Sequence, residues 1–593
     1  MAMAELRLNR LQVLRNHLSL HNRRVGEGSD AFSKGKVNIC PLPSSATSQS
    51  LKMELEKIGV NDVEVEPSPP GLEEEYSQIL TPSAIRFVAD LTRQFSNQVD
   101  LMLKQRMKKK LELDLTGNIP FFPDNPEVRE SNWRVAPVPR RIVCRKLDLG
   151  DVSPSNTEKF IEALLCDVNG IQTDFDDGHC PTWRNQLRGL HNVYKAVFNQ
   201  FPDVPDISKV PVLMLRPRAW NMIEHNMIVD GKEVPGPLFD FGLLMYHCAA
   251  HLVAKESGPF FYLSKLEGAN EAKLWNEIFC WAQEKLDIPH GTIKACVLIE
   301  NVLASFEMEE ILFELKDHSL GLKCGIWDYS ASFVNKFGDR KDFVLPDRNK
   351  YVNMQRHFLR SYMDLVIHTC HKHGAHATGG MAATIIESRD LNILTKVTEA
   401  KIQEMLSGAD GFMVYDTRLV PVMRKMMVDK KKNQIDSQPR DDVRVTAGDL
   451  LQMPAGGVTL AGLKHNVAVG ILFIDAWLRG KGHYIYKGAV EDSATAEISR
   501  SQVWQWIRHR AKLEDNGEVI TRGLVQKIIG DFVDATIMSQ DPVPLDSPKH
   551  KERFRAAAEI FEEVVTKRDF PEFITTYLNL DHTFLSYQKM HEE

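Results

Sequence analysis

This chain of 593 residues is short of several things, and each absence removes a class of function. It has no run of about 18 apolar residues, the length that crosses a bilayer. The nearest run, 467–478, is too short and contains Asp475, so no membrane span is expected. It has no excess of positive charge. The net charge of −7 argues against nucleic acid as a main partner, because phosphate binding calls for a basic surface. It has no cysteine framework. The nine cysteines (Cys40, Cys144, Cys166, Cys180, Cys248, Cys280, Cys296, Cys324 and Cys370) are odd in number and include no Cys-x-x-Cys pair. That fits a reducing compartment and argues against a disulfide scaffold or a cysteine-rich zinc site. The first residues lack the continuous apolar stretch of a secretory signal, and no internal repeat is present.

What remains is an ordinary globular composition, 43 % hydrophobic and 26 % charged, ample for a large core. Residues 41–75 are rich in Pro, Ser and Glu and read as a largely unpacked linker with one short helix at 50–58. A helix is expected from Thr81 and Pro82, since Ile85, Val88, Leu91 and Phe95 follow at helical spacing. Its continuation reaches the basic run Lys108-Lys109-Lys110, read as a solvated helix end in preference to a binding patch. From about 140, eight β-type runs alternate with helical ones: 141–148, 170–176, 212–218, 260–267, 294–300, 324–328, 375–382 and 411–416. Alternation of this kind implies parallel βαβ units, and eight of them imply a closed (β/α)8 barrel. After about 430 the pattern is helical, with long helices expected at 460–478 and 495–509. The expected division is 1–75, a targeting segment and linker; 76–138, a helical clasp; 139–428, the barrel; and 429–593, a helical domain.

The active site of such a barrel lies where its strands end. Here the ends are unusually charged: Thr173-Asp174-Phe175-Asp176-Asp177, Leu215-Arg216-Pro217-Arg218, Ser264-Lys265-Leu266-Glu267, Leu298-Ile299-Glu300 and Ile326-Trp327-Asp328-Tyr329. Glu300 and Asp328 would sit on neighbouring strands. Two carboxylates without a histidine suit a hard ion such as Mg2+, although a structural pairing with Arg or Lys is the commoner reason for such residues. His368, His371, His373 and His376 raise the alternative of a zinc site, against which a surface helix end followed by Gly374 explains the same cluster.

Several long motifs occur in a fixed order: Leu215-Arg216-Pro217-Arg218-x-Trp220; Gly291-Thr292-Ile293-Lys294-Ala295 leading to Glu300; Asp317-His318-Ser319-x-Gly321-Leu322-x-Cys324-Gly325-x-Trp327-Asp328-Tyr329; Gly379-Gly380-Met381-Ala382-Ala383; and Glu491-Asp492-Ser493-Ala494-Thr495-Ala496-Glu497-Ile498-Ser499-Arg500. Together they resemble the A-type malate synthases over about 79–506. The resemblance implies an N-terminal helical clasp, a (β/α)8 TIM barrel and a C-terminal helical domain that closes over the barrel mouth. It implies condensation of acetyl-CoA with glyoxylate and hydrolysis of malyl-CoA. Glu300 and Asp328 match the family's ligands for Mg2+, with Mn2+ as an alternative ion. Arg216 matches its catalytic arginine and Asp492 its base. Arg216 and Asp328, with backbone near Gly325 and Trp327, match the glyoxylate site. The competing readings are a related acyl-CoA synthase or lyase acting on a larger 2-oxo acid, and a non-catalytic acyl-CoA-binding homologue.

The chain departs from the family's motifs at a few positions. The family's Asp-Gly-Thr-Trp-x-Ala-His-Pro is here Asp410 to Thr417, with Met413 for the tryptophan and Asp416-Thr417 for His-Pro. His483 stands for a cysteine and Ile386 for a proline. These departures are expected around the barrel mouth, altering either the acceptor pocket or the grip on CoA. Finally, Arg10-Leu11-x5-His17-Leu18 fits a peroxisomal signal of the N-terminal type. The same segment carries five arginines and one acid in 24 residues, which also fits a mitochondrial presequence. The last residues, Met590-His591-Glu592-Glu593, lack the C-terminal peroxisomal tripeptide.

Overall fold

The computed structural model describes residues 46–386, 391–427 and 432–580, so the segment with Arg10 and His17 lies outside the described residues. Eight parallel strands close into a barrel: β2 (Leu147–Val152), β3 (Gly170–Asp174), β4 (Val212–Arg216), β7 (Phe260–Leu263), β8 (Lys294–Ile299), β9 (Ser319–Cys324), β10 (His376–Ala382) and β11 (Gly411–Val414). The ring closes where β11 pairs with β2. β8 and β9 are buried at every position, as expected of strands covered on both faces. The remaining strands form two small antiparallel sheets. β1 (Val63–Val65), β5 (Ile223–Val229) and β6 (Lys232–Pro235) make one, and β12 (Tyr484–Tyr486) and β13 (Ala489–Glu491) make a hairpin.

Three expectations change. The first barrel strand begins at Leu147, because Arg140–Ile142 forms a 3-10 turn in which Arg141 donates to the Ile207 carbonyl at 3.0 Å. The run at 324–328 is not a strand. β9 ends at Cys324, and Ile326, Tyr329, Phe333 and Phe337 fall at helical spacing on the helix Ile326–Phe337. Asp328 therefore lies in the first turn of a helix. The supposed linker is also packed. Val63 pairs with Val229 across β1 and β5, and Val63, Val65 and Leu72 are buried.

The clasp helix runs unbroken over Pro82–Thr116. Thr81 Oγ1 accepts from Ala84 N–H at its start, and Gly117 at φ 68 ends it in the left-handed conformation that favours glycine. Its Val88 packs against Gly242 of the helix Gly236–Ala254, where an added Cβ would lie 3.0 Å from Val88 Cγ2. Gly236–Ala254 is long and apolar enough to cross a bilayer, but its apolar residues instead cover the outside of the barrel. The C-terminal helices Leu460–Leu478, Ser493–Arg508, Arg522–Ser539 and Pro548–Thr566 enclose a second core. Gly470 lets two of them close up, since a Cβ there would collide with the Phe561 ring.

Candidate active site

The barrel mouth collects charge because several of the eight strands that end there are followed by charged residues. Arg216 closes β4 and is 2 % exposed. It pairs with Asp177, with Asp176 at 3.3 Å, with Asp174 at 3.6 Å and with Glu300 at 3.9 Å. Its Nε is buried without a protein partner. The second arginine of the same motif does different work. Arg218 is clamped by Asp240 at 2.8 Å and Glu224 at 2.8 Å, and it secures the helix and hairpin behind the site. Lys265 follows β7 in a left-handed conformation, φ 55, that aims its ammonium into the mouth. Its Nζ lies 2.7 Å from Asp177, 3.1 Å from Asp176 and 3.5 Å from Asp328, and its N–H donates to Glu300 Oε1 at 2.7 Å.

Glu300, just past β8, and Asp328 come together as the sequence led us to expect, although Asp328 arrives on a helix. Gly325 is needed for that approach, because a Cβ there would lie 2.9 Å from Glu300 Oε2. A third carboxylate joins them. Ligand oxygens of Asp177, Glu300 and Asp328 all lie within 4.8 Å of one another. Asp328 Oδ1 is buried with no protein hydrogen bond. An all-oxygen trio with an unsatisfied oxygen fits a hard divalent ion. Without one, two of the three are poorly compensated. Burial raises the Glu300 and Asp328 carboxyls above their ordinary values, and their acidic neighbours raise them further against Lys265. Burial would raise Asp177 too, but Arg216 and Lys265 outweigh it and hold it low.

Asp492 enters from the other domain as the N-cap of the helix Ser493–Arg508, with Oδ1 accepting from Thr495 N–H at 3.1 Å. Burial raises its carboxyl first, and Asp177 adds to the effect. The next residue, Ser493, donates to Asp177, so the domain that carries Asp492 is bonded directly to the carboxylate trio. Asp151 lies across the same cleft, buried at φ 51. Trp327 lies in the first turn of the helix whose leading N–H groups, at Ile326, Trp327 and Asp328, have no intrahelical acceptor. The Gly325 N–H, by contrast, is taken by Tyr362 Oη at 2.9 Å.

Sequence reasoning overlooked Asp177, Lys265, Ser493 and Asp151. Asp177 and Lys265 stood in the charged strand ends, and an odd carboxylate beside a candidate metal pair was the available signal. The histidine cluster is no metal site among the described residues, and neither is it a surface helix end. His371 is buried against Asp410 at 3.0 Å, His373 stacks on Trp133 with centroids 3.7 Å apart, and His376 bonds the Val143 carbonyl.

Two of the departures from the family motifs meet each other, and the rest find partners elsewhere. Ile386 N–H donates to Asp416 Oδ2 at 2.7 Å, a bond that proline at 386 could not make. His483 donates from Nδ1 to the Gly178 carbonyl at 2.8 Å and accepts the Tyr415 hydroxyl at 2.9 Å, pinning the C-terminal domain to two barrel loops. Thr417 donates to Glu162. Met413 lies inside the barrel, fully buried among Val212, Met214 and Tyr262, and so does not widen the mouth.

Three family models match the chain in order: malate synthase, N-terminal domain, at 71–124; malate synthase, TIM barrel domain, at 212–453; and malate synthase, C-terminal, at 457–581. A malate synthase of Myxococcus xanthus is 39 % identical over 514 residues, covering 84 % of this chain and 93 % of that protein. One of Streptomyces clavuligerus is 42 % identical over 475 residues, covering 76 % and 86 %. The glyoxysomal malate synthase of Glycine max is 38 % identical over 523 residues, covering 84 % and 91 %.

Proposed function

The chain belongs to the malate synthase family of acyltransferases, and from that premise we propose that its barrel mouth condenses acetyl-CoA with glyoxylate, with Asp492 as base and Arg216 as the enolate's counter-charge. The observation that carries this reading is the pairing of two unlike halves. A carboxylate trio and an arginine stand on the barrel, and a desolvated carboxyl stands opposite on a separate domain.

Asp492 takes a proton from the acetyl methyl group, and the electron pair moves onto the thioester oxygen. Arg216 is always cationic, and its unpartnered Nε is available to that developing oxyanion. The first-turn N–H groups at Trp327 and Asp328 offer the glyoxylate carboxylate a helix N-terminus. The methyl carbon then bonds to the aldehyde carbon, whose oxygen gains a proton to become the hydroxyl of malyl-CoA. Water adds to the thioester, the C–S bond breaks, and malate and the CoA thiol leave. Asp177, Glu300 and Asp328 would hold Mg2+, or Mn2+ in its place, which supplies Lewis-acid polarisation and in-line alignment of the glyoxylate. Ser493 and His483 keep the base-bearing domain seated on the barrel, so water is excluded from the enolate while the domains are closed.

Mixing the protein with acetyl-CoA, glyoxylate and Mg2+ should release free thiol and malate together. The pair Glu300 and Asp328, which matches the family's ligands, and a Met413 that packs inside the barrel instead of opening the mouth, favour glyoxylate over larger acceptors. A higher kcat/KM for pyruvate or 2-oxobutyrate would refute the assignment. Malate synthases named as glyoxysomal in plants and yeast, together with Arg10-Leu11-x5-His17-Leu18, support a peroxisomal location. A His17→Ala protein that still co-localised with peroxisomes would exclude that signal.

A further inference from the structure

A second cluster of ligand-type side chains lies at the opposite end of the barrel, where β8 and β9 begin. Cys280 is on the helix Ala269–Lys285, His290 precedes β8, and His318 directly precedes β9. One ligand atom from each lies within 4.8 Å of the other two. Cys280 Sγ is 3.8 Å from His290 Nδ1, and the His290 and His318 rings meet edge to face with centroids 4.9 Å apart.

The hydrogen bonds around these rings orient them for a ligand. His290 Nε2 donates to Asp317 Oδ2 at 3.2 Å, which leaves Nδ1, the nitrogen facing the thiol, with its lone pair. A carboxylate behind one imidazole nitrogen is how metal-ligating histidines are commonly held. His318 Nδ1 donates to Asn276 Oδ1 at 2.8 Å, so Nε2 is its lone-pair nitrogen, accepting from the Gln283 amide at 3.0 Å. Asn276, Cys280 and Gln283 lie at i, i+4 and i+7 of one helix, so the His318 ring runs along the stripe that carries the thiol.

We propose that Cys280, His290 and His318 bind a borderline divalent ion, with Zn2+ the best match, at a site separate from the carboxylates of the mouth. One sulfur and two imidazoles select such ions over Mg2+, which takes oxygen ligands. The fourth position is open to solvent, because His290 is 59 % exposed and, with Asp317, lines a cavity at the barrel foot. Burial, with Asp317 and Glu277, keeps the Cys280 thiol protonated. As the metal–sulfur bond forms, the S–H proton leaves to solvent. Coordination by His318 Nε2 exchanges its bond to Gln283. An ion here staples the start of two paired strands, Ala295 against Ser319, whose far ends deliver Glu300 and lead to Asp328. The inference does not depend on the malate synthesis reading, and its test needs no turnover.

The test is titration of the full chain with Co2+ in excess Mg2+, so that the hard ion fills the carboxylate trio. The expected result is one equivalent of Co2+ bound with a thiolate-to-cobalt band in the near ultraviolet, displaced by Zn2+. The band should vanish in Cys280→Ser, and Co2+ binding should weaken at least about tenfold in His290→Ala, as expected when a ligand is lost. In the same excess Mg2+, Zn2+ should raise the Tm of the wild-type chain and leave that of Cys280→Ser unchanged. Absence of the band in the wild-type chain, or its survival in Cys280→Ser, would overturn the proposal.

Discussion

Two regions of this molecule bury charge, and they do it differently. In the core of the C-terminal domain, away from the mouth, buried charges meet their opposites. Arg553 Nε donates to Asp475 at 2.8 Å, Arg479 joins from the edge at 3.1 Å, and Arg500 Nε donates to Glu497 at 3.1 Å. At the barrel mouth the balance fails. Asp151, Asp174, Asp176, Asp177, Glu300, Asp328 and Asp492 face Arg216, Lys265 and Lys323, seven carboxyls against three cations. Burial raises most of those carboxyls, and only Asp177, gripped by two cations, is held low. A buried charge is tolerated when it is paired. A surplus of one sign is tolerated only where it is protonated or where something of the other sign binds. The paired set holds a domain together, and the unpaired set marks the site.

The comparison breaks most readily at Asp492. If it is surplus for a chemical reason, Asp492→Asn should cost roughly 10²–10⁴-fold in kcat, the range for loss of a general base. It should also abolish exchange of the acetyl-CoA methyl protons with solvent. Calorimetry should still show glyoxylate and Mg2+ binding; loss of that binding would mean that Asp492 belongs to the ligand set. Asp328→Asn should weaken Mg2+ and glyoxylate binding and activity together, and remove the rise in Tm that Mg2+ gives the wild-type chain. Its metal-free Tm should not fall, since one member of an excess has gone; a clear drop would show that Asp328 is structurally paired after all. The paired region should behave in the opposite way. Arg553→Met leaves Asp475 short of its main partner and should cost about 3–5 kcal/mol in denaturant unfolding, with the KM for glyoxylate unchanged. The smallest effect is protonic. Because burial raises the Glu300 and Asp328 carboxyls, protons compete with Mg2+ for them, so its affinity should fall as pH falls. Calorimetry in two buffers of different ionisation enthalpy reads the protons released. A binding heat that ignored the buffer would mean that Lys265 and Arg216 already balance the trio.

The barrel itself was legible in the sequence. Eight buried strands alternating with helices leave a period that can be read directly, and seven of the eight fell on the runs expected, if not always at the same ends. The exception, 324–328, is instructive. Cys-Gly-Ile-Trp-Asp has the composition of a buried strand, and only the continuation to Tyr329, Phe333 and Phe337 reveals the helical spacing. The packed segment at 63–65 was invisible because three residues of strand carry no period, and its partner lies more than 150 residues away.

The strand and helix periods, the charged strand ends, and the motifs holding Arg216, Glu300, Asp328 and Asp492 can all be read along the chain. Which charges are paired is settled in three dimensions. Arg216 and Arg218 are two residues apart in one motif. Yet one faces the mouth with a free Nε, and the other is locked between Asp240 and Glu224. Strand order sets that difference, because a closed barrel brings Asp177, Lys265, Glu300 and Asp328 within a few ångströms although they span 151 residues of chain. Charge balance depends on distance through space, and a sequence records only distance along the chain.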